Sequence, residues 1–241
     1  MNNISKLCLF LPTILASPAI KPISKLPENI SDDPFPKFET VPRYRGPCPD
    51  IQGTAKWDPT TYTSHNWWQP VASPFFWNFP GTTCTSATYI PTGEYSSTGG
   101  VYFSVLNQSI LPPQKQEKTN QTYGQAYGMA VQNTNYNGTA SVIFFEGDPN
   151  PDGTNYIIMD TDNETYAYVW SAASVGNSCR PILWMLFDDR NISKNLLEGH
   201  VSDAMQILKD AGWRWTDEFE KTLEYWPTKD CPNPPDSPYD N

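Results

Sequence analysis

Histidine is scarce: His65 and His200 are the only two in 241 residues, so the most common general base and metal ligand has few places to act. No G-x-S-x-G elbow, H-E-x-x-H helix, P-loop or dinucleotide fingerprint occurs. Carboxylates pair at Asp160 with Asp162 and at Asp188 with Asp189, but these read as a turn and a solvated loop, not as acid and base. The stretch "DPNPDG" from Asp148 begins like a calcium loop, yet its twelfth position is Met159 where a bidentate Glu is needed. It reads as a turn. An enzyme is not expected, and neither a metal nor a cofactor. Positive charge is also short, with 16 Lys and Arg against 26 Asp and Glu and a net charge of -10. Long-range repulsion then disfavours phosphates, and nucleic acid is not expected as a partner.

Long apolar runs are missing too. The longest, "LCLFLPTILA" after Lys6, is too short to span a bilayer, and with Ala16, Ser17 and Ala19 behind it residues 1–19 read as a signal peptide. N-x-S/T triplets follow at Asn29, Asn107, Asn120, Asn137, Asn163 and Asn191, and together with an export signal they predict a secreted, extracellular glycoprotein. If Cys8 leaves with the signal, Cys48, Cys84, Cys179 and Cys231 remain. None has the C-x-x-C spacing of a zinc or redox site, and distant cysteines in an oxidising compartment form disulfides. Four cysteines allow three connectivities, which spacing alone does not separate.

What the chain has in quantity is proline, 24 residues, and aromatics at 14%, a mixture that favours turns and an aromatic β interior. Residues 20–47 lack a sustained apolar period and read as a flexible Pro-rich extension. From Trp57 onward short β-like runs alternate with turn residues: "CTSATYIPTGEY", "GVYFSVLNQSI", "TYGQAYGMAV", "TASVIFFEG", "TNYIIMDTD", "TYAYVWSAAS" and "RPILWMLFDD". With "HNWWQPVASPFFWNF", His65 to Phe79, they make about eight strands, enough for an up-and-down barrel or a sandwich. Period two forbids Trp67 and Trp68 from sharing a face. A single helix is predicted in "SKNLLEGHVSDAMQILKDAGW", capped by Ser193 and ended by Gly212, with its apolar stripe against the outside of the sheet.

Several pieces recur in a fixed order: "CP" at Cys48, "WDPTTY" at Trp57 to Tyr62, Trp67, "CTSATY" at Cys84 to Tyr89, "VLNQSI" at Val105 to Ile110, "YIIMDTDNETYAYVWS" at Tyr156 to Ser171, "ILWML" at Ile182 to Leu186, the helix, and "CP" at Cys231. In that order they resemble the lipocalin family, and within it the apolipoprotein D-like secreted branch. The resemblance implies an all-β fold, an eight-stranded antiparallel up-and-down barrel with one C-terminal helix packed outside, over residues 48–232, with 233–241 as a disordered tail. It also implies pairing of Cys48 with Cys179 and of Cys84 with Cys231, each closing a loop of more than a hundred residues. Chain-entropy reasoning values such a closure at about 4 to 5 kcal/mol.

An eight-stranded barrel is wide enough for one small ligand. The resemblance puts Trp67 at the barrel floor and assigns Tyr62, Tyr89, Tyr156 and Trp184 to the pocket wall; packing a core is the alternative role for the same aromatics. Phe75, Phe76, Trp77 and Phe79 fall in the loop after the first strand, where they would gate the mouth, touch a lipid surface, or fold down as a lid. The implied function is transport of a fatty acid, sterol, retinoid or similar lipid by a monomer, with a link to lipid metabolism and protection against oxidised lipid. A filled-barrel interaction protein and a lipocalin-type lipid enzyme are the competing readings. The chain departs from the family at two places. His65 stands where the family has Gly before Trp67. The arginine that covers that tryptophan aligns with Asp188 without gaps, or with Arg190 if the loop carries two extra residues.

Overall fold

The computed structural model describes residues 42–74, 81–119, 122–144 and 147–234. Strands β2 (Asn66–Ala72), β3 (Thr83–Tyr95), β4 (Val101–Ile110), β5 (Tyr123–Gln132), β6 (Thr139–Ile143), β7 (Tyr156–Thr161), β8 (Tyr166–Ser174) and β9 (Ser178–Phe187) pair in sequence order, all antiparallel. Pairing of β2 with β9 closes them into an eight-stranded up-and-down barrel, as expected from the sequence. Two short strands extend the sheet: β1 (Tyr44–Arg45) against β9, and β10 (Glu224–Tyr225) against β2. The remaining elements are helices α1 (Pro59–Tyr62), α2 (Pro113–Thr119), α3 (Lys194–Asp210) and α4 (Thr216–Glu220).

The run "ILWML" is apolar at every position because β9 is buried on both faces. Leu186 packs into the barrel interior with partly buried Trp184 against it, while Leu183, Met185 and Phe187 face outward onto Leu197, Val201, Ala204, Met205 and Leu208 of α3. Helix α3 is the predicted one. The Ser193 hydroxyl accepts from the Leu196 amide at 3.4 Å. At the other end Gly212, with φ +75°, lets its own N–H reach Lys209 and the Trp213 N–H reach Leu208, which satisfies the last carbonyls.

Both predicted disulfides are present, Cys48–Cys179 and Cys84–Cys231, with Cα atoms 4.7 and 5.5 Å apart. They fasten the two chain ends to the barrel wall. Of the segment 20–47, the described residues 42–47 are tied to the fold: Tyr44 is buried against Trp213 and Phe219, and the Arg45 carbonyl accepts from Trp215 Nε1 at 2.8 Å. Composition could not reveal this, since the partners lie some 170 residues further on. The run "TASVIFFEG" ends as a strand at Ile143, earlier than its β-like sequence suggests.

Candidate functional site

The floor of the barrel is built by a short segment with a clear local cause. Asp58 accepts from the Thr60 amide at 3.0 Å and Pro59 occupies the first helical position, so the chain turns into α1 and delivers Tyr62 inward. Tyr62 stacks on Trp67 at 5.0 Å between centroids, and Trp67 Nε1 donates to the Tyr62 carbonyl at 2.8 Å. Trp67, 0% exposed, thus sits inside the barrel while Trp68 faces out, as the period of two requires. His65, in place of the family's glycine, lays its ring edge-on to Trp67 at 5.5 Å.

Arg190 does not cover Trp67. Its guanidinium lies 5.8 Å from the ring of Trp68, on the outside, and donates to the Cys231 carbonyl and to Asn233 Oδ1. The arginine therefore clips the C-terminal segment to the wall, a contact between distant parts of the chain that alignment along the strand could not supply.

Above Trp67 the interior carries three phenols in hydrogen-bond contact: Tyr62 with Tyr156 at 2.8 Å and Tyr89 with Tyr156 at 2.6 Å. Burial pushes all three above the ordinary tyrosine value, Tyr89 to about 12. All are neutral at physiological pH and act as paired polar groups in an apolar setting. Trp57, Tyr62, Trp67, Tyr89, Phe103 and Tyr156 fill this half of the barrel.

Beyond them lies a cavity of about 170 Å³. Of the four aromatics assigned to the pocket, Tyr89, Tyr156 and Trp184 line it, with Tyr156 and Trp184 stacked at 6.2 Å and 24°. Tyr62 does not line it; α1 carries this ring down into the floor packing. Val105, Val142 and Ile182 supply apolar wall, and Gln69, Asn107, Asn155 and Ser171 supply polar atoms. Sequence reasoning missed these four. Asn155 is already engaged, bonded both ways to the Val142 backbone at 2.7 and 2.8 Å. Gln69 is 7% exposed, and its amide nitrogen has no hydrogen-bond partner among the described residues. No described residue lining the cavity is charged. Phe75, Phe76, Trp77 and Phe79 lie outside the described residues.

The sequons separate by geometry. Asn107 is half-buried and lines the cavity. Asn163 uses its carboxamide to hold the floor: Nδ2 donates to the Lys56 carbonyl and Oδ1 accepts from the Asp58 amide, both at 2.8 Å. Asn137 and Asn191 are exposed, and Asn29 and Asn120 lie outside the described residues.

The barrel superposes on insecticyanin from the tobacco hornworm Manduca sexta with a TM-score of 0.52, at 18% identity over 76% of this chain and 87% of that one. The chain has the lipocalin fold. Lobster apocrustacyanin A1 gives 0.51 at 13% identity, covering 76% of this chain and 89% of that one, and apocrustacyanin C1 gives the same figures. No protein-family model matches the sequence, and no curated protein is similar to it.

Proposed function

We propose that the chain is a secreted, glycosylated member of the lipocalin family that carries a small hydrophobic molecule in its barrel, in the manner of the apolipoprotein D-like carriers. The observation that carries the reading is the cavity above the tyrosines, walled by Trp184, Tyr156, Val105, Val142 and Ile182. Such a site binds by removing apolar surface from water, worth roughly 25 cal/mol per Å² of apolar surface buried. Its ligand class spans fatty acids, sterols and retinoid-like lipids, with a link to lipid metabolism and protection against oxidised lipid. The carrier works as a monomer, and the aromatic residues Phe75, Phe76, Trp77 and Phe79 are its contact with the ligand or with a lipid surface. Secretion is supported by the leader-like start and by two disulfides, which persist in oxidising compartments. Among the described residues every cysteine is bridged, so catalysis through a free thiol has no group to use there.

The test is native mass spectrometry of the protein from a eukaryotic secretory host, followed by organic extraction of whatever it carries. One lipid-like molecule per chain is the expected result. Protein that arrives empty and, after extraction, refuses fatty acids, sterols and retinoids alike would overturn the carrier reading in favour of an interaction protein with a filled barrel.

A further inference from the structure

The barrel wall is not equally tall all round. Strand β7 begins at Tyr156, which pairs with Ala140, while β6 runs on past that pair to Ile143. On the other side Ile157 pairs with Trp170, and β8 runs on to Ser174. The wall is therefore notched at β7. Against β6 the notch is three residues deep, from Ala140 to Ile143, or roughly 10 Å at about 3.3 Å per residue.

A strand that stops short leaves its neighbour's backbone groups unpaired, and here one side chain takes their place. Asn155 Oδ1 accepts from the Val142 amide at 2.7 Å, and Nδ2 donates to the Val142 carbonyl at 2.8 Å. The described part of the β6–β7 connection does not refill the notch. It folds down on the outer face, where Gly153 packs so close to Ser141 that a Cβ would meet its hydroxyl at 2.9 Å, and where Asn133 Nδ2 donates to the Gly153 carbonyl at 3.3 Å. Asn155 is exposed and also lines the cavity, as do Val142, Tyr156 and Ser171 around it. One side chain thus meets both solvent and the interior. The volume points the same way: about 170 Å³ falls short of the roughly 300–1,000 Å³ of sites that enclose drug-sized ligands. A lipid-sized guest buries one end there and must leave the rest outside.

We infer that the cavity opens sideways through the β7 notch and that Asn155 is the binding residue at its sill: the guest is longer than the cavity, holds its apolar end beside Tyr156 and Trp184, and lays its other end across Asn155 between the ends of β6 and β8. This rests on the carrier reading above and adds to it an exit side and a shape, an elongated molecule and not a compact one. The sill is polar and uncharged. Each atom of the Asn155 carboxamide keeps a second bonding position, and the Ser171 hydroxyl lies near, so a hydroxyl, ester or amide suits the emerging end.

The test uses full-length, isotopically labelled protein freed of bound lipid, and a neutral probe, a dodecyl chain with a nitroxide ring at its polar end. In amide NMR spectra the nitroxide is expected to erase the signals of Val142, Ile143, Ser174 and the Asn155 carboxamide, while Thr83 and Ile110, paired on the far rim, keep theirs. Asn155→Trp, which fills the notch, should weaken the dodecyl probe roughly tenfold, the effect of leaving two methylenes in water, and leave naphthalene, short enough for the cavity, bound as before. Signal loss spread evenly round the rim or strongest at Thr83 and Ile110, or an unchanged affinity for the dodecyl probe in an Asn155→Trp protein that still binds naphthalene, overturns the inference and leaves the carrier reading standing. Failure of both probes to bind, in protein that also rejects larger lipids, overturns both. The spectra are read in the unaltered protein, so the decision does not depend on the variant folding.

Discussion

The two halves of the barrel interior are built from the same strands and the same kinds of residue, yet one is packed with rings and the other holds open space. In the floor half, Tyr62, Tyr89 and Tyr156 bond to one another, and Trp67 donates to the Tyr62 carbonyl. In the open half, Tyr156 and Trp184 stack on one another beside a cavity that Val105, Val142 and Ile182 also line. The lesson is that aromatic content does not distinguish a plug from a pocket. Packing does: where one ring closes on another, as Tyr62 does on Trp67, the interior is filled, and where rings border the cavity, as Trp184 does, there is room for a guest.

The comparison breaks first at Trp67. Replacing it with Ala should cost about 3 to 5 kcal/mol in urea denaturation, as for other large aromatic deletions from a packed core. Trp184→Ala should cost less than half of that and weaken ligand binding at least tenfold. Equal destabilisation by the two would mean that both halves are core.

A second test uses the buried phenols. Tyr89 is raised in the folded state to about 12 from an ordinary value of 10.0. Its contribution to stability is therefore complete below pH 10 and lost as pH rises toward 12, a fall of about 3 kcal/mol from this group alone at about 1.4 kcal/mol per pH unit. Denaturation midpoints measured from pH 9 to 12 should show it, and Tyr89→Phe should flatten the slope.

Next comes the support beneath the floor. Asn163 sits at φ +69° with both ends of its carboxamide bonded. Asn163→Ala should cost about 1 to 3 kcal/mol through the two amide contacts and the left-handed backbone. Asn163→Gly should recover the backbone part alone. The smallest effect concerns the surface: peptide mapping should find glycan on Asn137 and Asn191 and none on Asn107 or Asn163, with little change in stability when the exposed sites are mutated.

How much of this was legible beforehand depended on whether the cause was local. The opposite facings of Trp67 and Trp68 follow from strand period, and α3 from Ser193, Gly212 and the apolar stripe between them. Helix α1 carried a local signal in Asp58 and Pro59, but four residues are too few for a periodicity to stand out. Tyr62 was consequently placed in the pocket wall when it belongs to the floor. Asn163 read only as a sequon because its partners, Lys56 and Asp58, are more than a hundred residues away. The register shift between Trp68 and Val71 had a local cue in Pro70, which has no N–H to give to the ladder of a strand paired on both sides, but a cue for a bulge does not say which side chains it turns toward the cavity.

The two disulfides overlap along the chain, one spanning Cys48 to Cys179 and the other Cys84 to Cys231. Every peptide bond between Cys48 and Cys231 thus lies inside at least one bridged loop. A protease that cuts this stretch once releases no fragment; the nicked protein runs at full mass on a non-reducing gel and separates into two pieces only when reductant is added. Damage to a turn at the mouth therefore leaves the chain covalently whole, and the barrel keeps its contents' walls together after its backbone has been broken.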